Sequence, residues 1–269
     1  MAMREQYPTR GVLRRPQFRW VDLLIGAAVF ALLYGVLRLG ISLRAPFAPT
    51  HQTGGISTNP ARLPVYALRS LARMFIALFL SLAFTFVYGT AAARLRRAEK
   101  VLVPLLDILQ SVPILGFLSV TVTFFIALFP HSIVGLECAS IFAIFTSQAW
   151  NMTFSFYHSL ISQPRELDEA ARLMRLTKWE RFWNLDVPGS MIGLVWNGMM
   201  SFGGGWFFLT ASEAITVNNR SYALPGIGSY VATASKRSEL GHVLLAIGVM
   251  VVMVLGVNFV FWRPLVAWC

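Results

Sequence analysis

Few side chains in this sequence are of the types that carry out acid–base or metal chemistry, and these are scattered. The histidines show no pair at the spacing of metal ligands; they are His51, His131, His158 and His242. No phosphate-binding loop of the form G-x-x-x-x-G-K-[ST] occurs, since none of the three lysines follows a glycine. The sequence therefore predicts no metal site, no cofactor bound by this chain and no catalytic residues.

Polar side chains inside long apolar stretches are the stronger candidates. Gln148 and Asn151 are three residues apart, and Asn197 and Ser201 are four apart, so each pair shares one face of a helix. Polar groups in such surroundings are costly, which predicts that these four line a path for a polar solute. The alternative is hydrogen bonding between helices, which stabilises packing without touching a solute.

Carboxylates near the ends of the apolar stretches suggest a second chemistry, the binding and release of ions. Glu137 and Glu213 are the two candidates for carrying ions through a gradient-driven transporter. Asp107 and Arg73 are expected at the boundaries of the stretches, in contact with solvent. Gly203-Gly204-Gly205 predicts either an unwound turn or the close approach of a neighbouring helix.

The elements that must position these residues are membrane-spanning helices. Of the 269 residues, 56% are hydrophobic and only 13% charged, with a mean hydropathy of +0.62. A soluble domain carries about twice this share of charge, so the composition disfavours a soluble enzyme and excludes a disordered chain. Six stretches are long and apolar enough to cross a bilayer. They are Leu23 to Leu37, Met74 to Ala93, Val112 to Phe129, Cys138 to Tyr157, Gly189 to Ser212 and Val243 to Trp262.

The distribution of Lys and Arg predicts the orientation of the spans. Alternate loops and the N-terminal tail hold 15 of these residues, and the opposite ends hold five. The positive-inside rule then places both termini in the cytoplasm. The net charge of +11 thus reflects membrane topology, and no nucleic-acid partner is expected. The predicted organisation is a basic tail (1–20), a retained first span (21–43), an external loop (44–65) and a transmembrane domain (66–265).

One long cytoplasmic segment, residues 160–188, has a composition unlike the spans. Pro164 opens a helix with acidic residues first and basic residues last, which complements the helix dipole. Thr177 and Glu180 form a capping-box pattern that predicts a second short helix. The small and aromatic side chains of the segment suit docking into another protein, and a membrane-surface connector is the alternative.

This segment resembles the EAA motif of ABC importer permeases, E-A-A, three residues, G, nine residues, I-x-L-P. The residues at the motif's positions are Glu169, Ala170, Ala171, Arg175, Leu185 and Pro188. Arg175 departs from the pattern, which has glycine there, and a non-glycine residue pays sterically for positive φ. The Thr177 cap is expected to carry the bend instead.

The resemblance extends over roughly residues 65–265, including Leu105 to Phe117 and Leu224 to Tyr230. It implies an all-α membrane protein with about six transmembrane helices and a type I, MetI-like permease core with a cytoplasmic coupling helix. The similarity is greatest to the nitrate, sulfonate, taurine and bicarbonate group, which implies a small anion as solute. It implies a multi-pass protein of the bacterial inner membrane whose partners are an ATPase subunit that uses ATP, a second permease copy or paralogous half, and a periplasmic binding protein. Besides an ion-driven transporter, a membrane enzyme is the remaining alternative, and it lacks any cluster of catalytic residue types.

Overall fold

The computed structural model describes residues 56–129, 132–217 and 220–269. The predicted tail 1–20, first span 21–43 and most of the external loop therefore lie outside the described residues. In chain order the helices are α1 Leu63–Arg94, α2 Arg96–Ser111, α3 Ile114–Leu128, α4 Val134–Ile161, α5 Arg165–Leu173, α6 Lys178–Arg181, α7 Val187–Glu213, α8 Ile227–Lys236, α9 Leu240–Val257 and α10 Arg263–Trp268. Two strands, β1 Ala214–Val217 and β2 Arg220–Ala223, pair as an antiparallel hairpin after α7.

The core lies where α4 packs along both α1 and α7. Its central side chains are almost fully buried, among them Met74, Ile144, Phe156 and Phe202. Glycines let the helices approach closely, since a Cβ on Gly89 would lie 2.7 Å from the Phe156 ring. Burial of large apolar side chains supplies most of the packing free energy of such a core.

The helices at the edge of this core leave apolar side chains exposed. α9 exposes Leu240, Leu244 and Val252 by 75%, 68% and 69% in the single chain. Contiguous exposed apolar surface marks contact with lipid or with another protein.

Two helical stretches within the described residues are both long and apolar enough to cross a membrane: Pro60–Arg94 and Leu240–Trp268. The third predicted span is a shorter helix, α3, of 15 residues. The fourth and fifth coincide with α4 and α7, of 28 and 27 residues, which carry more polar residues and glycines. The described residues thus form a mostly helical protein with apolar spans.

Three features differ from the sequence-based expectation. α1 begins at Leu63, inside the segment predicted as external loop and well before Met74. The all-α prediction missed the β1–β2 hairpin, because four-residue strands are too short to give a periodic signal. The helix α7 runs without a break through Gly203-Gly204-Gly205, so the predicted unwound turn is absent. Only Gly205 shows the close approach of a neighbour, because a Cβ on Gly203 or Gly204 would meet nothing within 4 Å.

Candidate functional site

The segment predicted to be cytoplasmic, residues 160–188, folds as two short helices joined by a tight turn, as the sequence predicts. α5 ends in a pair of backbone bonds, from Leu176 N–H to the carbonyl of Ala171 and from Arg175 N–H to that of Arg172, both about 3 Å long. This is a Schellman motif, whose C′ residue is usually glycine. Arg175 occupies that position with φ of 50°. The expectation that the Thr177 cap carries the bend is therefore wrong. Arg175 itself makes the bend and bears the steric strain of a positive φ.

The predicted capping box at Thr177 is present and starts α6. The Thr177 hydroxyl accepts from the Glu180 N–H at 3.3 Å, and the Thr177 N–H donates to the Glu180 carboxylate at 2.8 Å. These bonds favour the ionised carboxylate, so the backbone bond from Thr177 and then the bond from its hydroxyl lower the pKa of Glu180.

A π-helical turn, Phe182–Asp186, connects α6 to α7. Pro188 follows it and lacks the N–H that would bond to the carbonyl four residues back, which favours the wider turn. Phe182 anchors the turn against Phe86 of α1, with ring centroids 5.5 Å apart. Trp179 and Trp183 pack against each other on the outer side and are 69% and 47% exposed.

The structure places the predicted docking residues mostly on the surface. Glu169, Ala170, Arg175 and Pro188 are exposed, and Leu185 is half-buried. Ala171 is the one member of this set that is buried. The apolar side chains of Leu173 and Met174, at the end of α5, are largely exposed as well. The segment thus presents small and apolar residues to solvent, which is the chemistry of a docking surface.

Sequence reasoning missed a ring of four charged side chains that holds this segment. Arg94, at the end of α1, lies 2.5 Å from Asp186 and 3.8 Å from Asp168. Arg181 pairs with Asp168 and lies 3.7 Å from Asp186. We call these four residues the cytoplasmic ring, after the side of the membrane on which the sequence predicts this segment. The only signal in the sequence was an Arg directly after an apolar span, which the positive-inside rule had already explained.

The four residues predicted to line a solute path do not share one surface in the single chain. Gln148 is fully buried, and Gly205 lies so close that a Cβ there would be 3.0 Å from the Gln148 side-chain nitrogen. Ser201 is 5% exposed, and neither it nor Gln148 has a hydrogen-bond partner within the described residues. Asn197 donates to the Ser155 hydroxyl of α4 at 3.0 Å, as the alternative of bonds between helices predicts. Asn151 is exposed.

Towards the other end of α1, ten residues after Leu63, lies a buried ionic cluster. Arg73, expected to be solvated, is only 1% exposed, so that expectation is wrong, whereas Asp107 is exposed as predicted. The Arg73 guanidinium binds Glu137 through two nitrogens at 2.5 and 2.7 Å and Glu213 through a third at 2.6 Å. We call Arg73, Glu137 and Glu213 the external cluster, after the side of the membrane on which the sequence predicts them.

The external cluster also holds the glycine-containing segment that precedes α8. The Ser70 hydroxyl and the Gly228 N–H donate to the two oxygens of Glu213, at 2.5 and 2.7 Å. A Cβ on Gly226 would collide with the Glu213 carboxylate. The Arg73 guanidinium donates to the Pro225 carbonyl at 3.1 Å. Glycine is therefore required here because the backbone lies directly against a buried charge.

No group of three or more metal-ligating side chains lies together among the residues that the structure describes.

Comparison with known proteins places these features in a family. A family model described as "Binding-protein-dependent transport system inner membrane component" matches residues 85–263, more than half of the chain. The match contains all of residues 160–188, including the π-helical turn Phe182–Asp186, and a second π-helical turn, Asn258–Trp262, between α9 and α10. No curated protein matches the chain.

Proposed function

The chain belongs to the family of binding-protein-dependent transport system inner membrane components, and from that premise we propose that it carries a small anion through the membrane. The family is one of permease subunits of ABC importers, which are transport components and not enzymes. The proposed solute is an anion such as nitrate, a sulfonate or bicarbonate. This narrower assignment is supported by the resemblance to the nitrate, sulfonate, taurine and bicarbonate group.

We propose further that the cytoplasmic segment, residues 160–188, is the docking site for a separate ATPase subunit. The observation that carries this is the exposed surface of Ala170, Leu173, Met174 and Trp179 on a short folded protrusion. Small residues allow the close approach of a partner groove, and bulky exposed ones supply apolar area to bury. Glu169 lies on the same short helix as an exposed acceptor for hydrogen bonds from the partner.

The other partners follow from the family. A periplasmic binding protein delivers the solute, and a second permease copy or a paralogous half completes the path. The exposed apolar faces of α3 and α9 offer surface for that copy and for lipid. The proposed location is the bacterial inner membrane with several crossings and both termini in the cytoplasm. ATP is used by the partner subunit, and this chain binds no cofactor.

The proposed path residues stay Gln148, Asn151, Asn197 and Ser201. The structural support differs from one to the next. Asn151 is exposed on α4 and is available to a solute without rearrangement. Gln148 and Ser201 carry unsatisfied polar atoms, which are costly in a buried setting. A path that opens beside them in another conformation would satisfy these atoms.

The alternative of an ion-driven transporter finds little support in the external cluster. Its two candidate carboxylates, Glu137 and Glu213, are both bound by Arg73 and buried. A carboxylate that carries ions must exchange its partner during each cycle. Fixed guanidinium bonds and backbone N–H donors oppose that exchange.

Replacing Glu169 by Lys tests the docking proposal. We expect the variant to insert normally in the membrane but to lose copurification of the ATPase subunit from mild detergent, with loss of solute uptake. The matched control is Asp107→Lys, which reverses another exposed carboxylate on α2 and should retain both. Normal copurification and uptake in Glu169→Lys would exclude the docking assignment.

A further inference from the structure

The cytoplasmic ring joins parts of the chain that are distant in sequence. Arg94 ends α1, Asp168 lies in α5, Arg181 ends α6, and Asp186 lies directly before α7. Ala171 is the one buried residue of α5. Asp168 of the same helix pairs with Arg181 of α6 and lies 3.8 Å from Arg94 of α1, so ion pairs contribute to holding α5 in place.

We propose that Arg94 is a positioning residue that transmits movement of α5 to α1, and so couples the docked ATPase to the solute path. This inference rests on the proposed function, because it assigns a mechanical role to the same docking segment. Arg94 does not touch the solute or the ATPase. It acts by binding the carboxylate of Asp168 in α5 and the carboxylate of Asp186 directly before α7.

The geometry of the ring suits transmission. Its charges alternate, two positive and two negative, so each carboxylate lies between two guanidinium groups. Each guanidinium has one short and one long contact: Arg94 lies 2.5 Å from Asp186 and 3.8 Å from Asp168, while Arg181 is paired with Asp168 and lies 3.7 Å from Asp186. The Nε atoms of Arg94 and Arg181 are buried without an acceptor. A small displacement of α5 can therefore exchange long contacts for short ones without leaving the charges unpaired.

The helix on the other side of Arg94 is suited to carry such movement. α1 runs unbroken for 32 residues from Leu63 to Arg94, about 48 Å at 1.5 Å per residue. Arg73 of the external cluster lies on the same helix, 21 positions before Arg94 in the sequence. α1 also packs along α4 in the core. The ionic contacts at Arg73 and at Arg94 are thus about 32 Å apart on one continuous helix, and a rigid element of this kind can carry a displacement from one to the other.

The test compares Arg94→Gln with Arg97→Gln in the complete transporter reconstituted in vesicles. Arg97 is exposed, lies three residues further on, and has no ion pair within the described part of the chain. For each protein one measures copurification of the ATPase, ATP hydrolysis, and solute taken up per ATP. We expect Arg94→Gln to keep the ATPase bound and hydrolysing, while solute per ATP falls by about tenfold. Arg97→Gln should match the wild type.

Two further variants separate positioning from simple loss of structure. Arg94→Lys keeps one ion pair but cannot bridge both carboxylates, so it should restore part of the uptake per ATP. Asp168→Asn, at a partly exposed position, should fall to the level of Arg94→Gln. The double variant should then be no worse than either single one, because both remove the same junction.

Each result of these measurements either supports or overturns the proposed role of Arg94. Wild-type uptake per ATP in both Arg94→Gln and Asp168→Asn, with the ATPase still bound, would overturn the role of Arg94. The same loss in Arg97→Gln would assign the effect to general surface charge and would also overturn it. If the wild type itself fails to copurify an ATPase, the proposed function fails, which is a separate result from failure of this inference.

Discussion

The external cluster and the cytoplasmic ring are both built from arginine and carboxylates, yet they differ in burial and in how many of their polar atoms have hydrogen-bond partners. In the external cluster Arg73 and Glu213 are 1% and 0% exposed, and five donors saturate the two carboxylates. In the cytoplasmic ring Arg94, Arg181 and Asp168 are 28%, 19% and 36% exposed, Asp186 alone of the four is buried at 4%, and the Nε atoms of both arginines make no hydrogen bond.

This difference separates a structural junction from a movable one. In the external cluster one guanidinium serves two buried carboxylates. Removing it leaves uncompensated charge in a low-dielectric site, which is strongly unfavourable. Partly exposed pairs are worth little individually and are screened by salt, so their partners can be exchanged at small cost. The external cluster is therefore suited to holding α1, α4, α7 and the Gly226 turn together, and the ring to changing its contacts.

The largest effect is expected from Arg73→Leu. It leaves Glu137 and Glu213 buried without their cation, which should cost about 3–5 kcal/mol and prevent the folded protein from accumulating. Thermal unfolding in detergent and the amount of membrane-inserted protein measure this. Arg69→Leu is the control, because Arg69 is only half-buried and has no ion pair in the described residues. Equal stability of the two variants would remove the distinction between the external cluster and the ring.

A smaller effect, of opposite sign, is expected from Arg175→Gly. Glycine adopts positive φ without the clash that Arg175 bears at φ of 50°, which favours the turn by about 1 kcal/mol. Backbone hydrogen exchange across residues 165–186 should slow by about fivefold. Arg172→Gly, inside α5, should accelerate exchange instead, because glycine weakens a helix interior. Faster exchange in Arg175→Gly would show that the Schellman turn is not under strain.

The smallest effect is expected from acidification of the capping box. The bonds from Thr177 lower the pKa of Glu180 below its ordinary value of 4.5. A group with a depressed folded pKa contributes stability above its unfolded pKa and loses it as the pH falls through the folded value. Hydrogen exchange at the backbone amides of Thr177 and Glu180 should therefore be measured at pH values above and below 4.5 and corrected for the intrinsic pH dependence of exchange. The protection of these amides should drop only at the lower pH. In Glu180→Gln this pH dependence should vanish.

The sequence was informative where signals are local. The two cytoplasmic helices, the Thr177 cap and the α7 segment follow from proline, capping residues and runs of apolar side chains, and the structure has them at nearly the predicted bounds. The resemblance over residues 65–265 agrees with the family match over 85–263.

What the sequence could not predict depends on partners brought together by folding. Arg73 lies 64 residues from Glu137 and 140 from Glu213, so nothing local distinguished it from an arginine at a membrane boundary. Arg94 is similarly 92 residues from Asp186. The bend at Arg175 was missed for another reason: the local rule disfavours positive φ at arginine, but the two bonds of the Schellman turn outweigh that cost.

The central claim is that the segment around α5 faces the cytoplasm, where an ATPase can reach it. The most direct test is a membrane-impermeant thiol reagent applied to Leu173→Cys, a position that is 85% exposed, with Cys138 and Cys269 replaced by serine. Lys236→Cys, exposed at the end of α8, serves as the control for the opposite side. The account predicts that Leu173→Cys reacts only in inverted membrane vesicles and Lys236→Cys only in intact cells with a permeabilised outer membrane. Reaction of Leu173→Cys from the outside would contradict it.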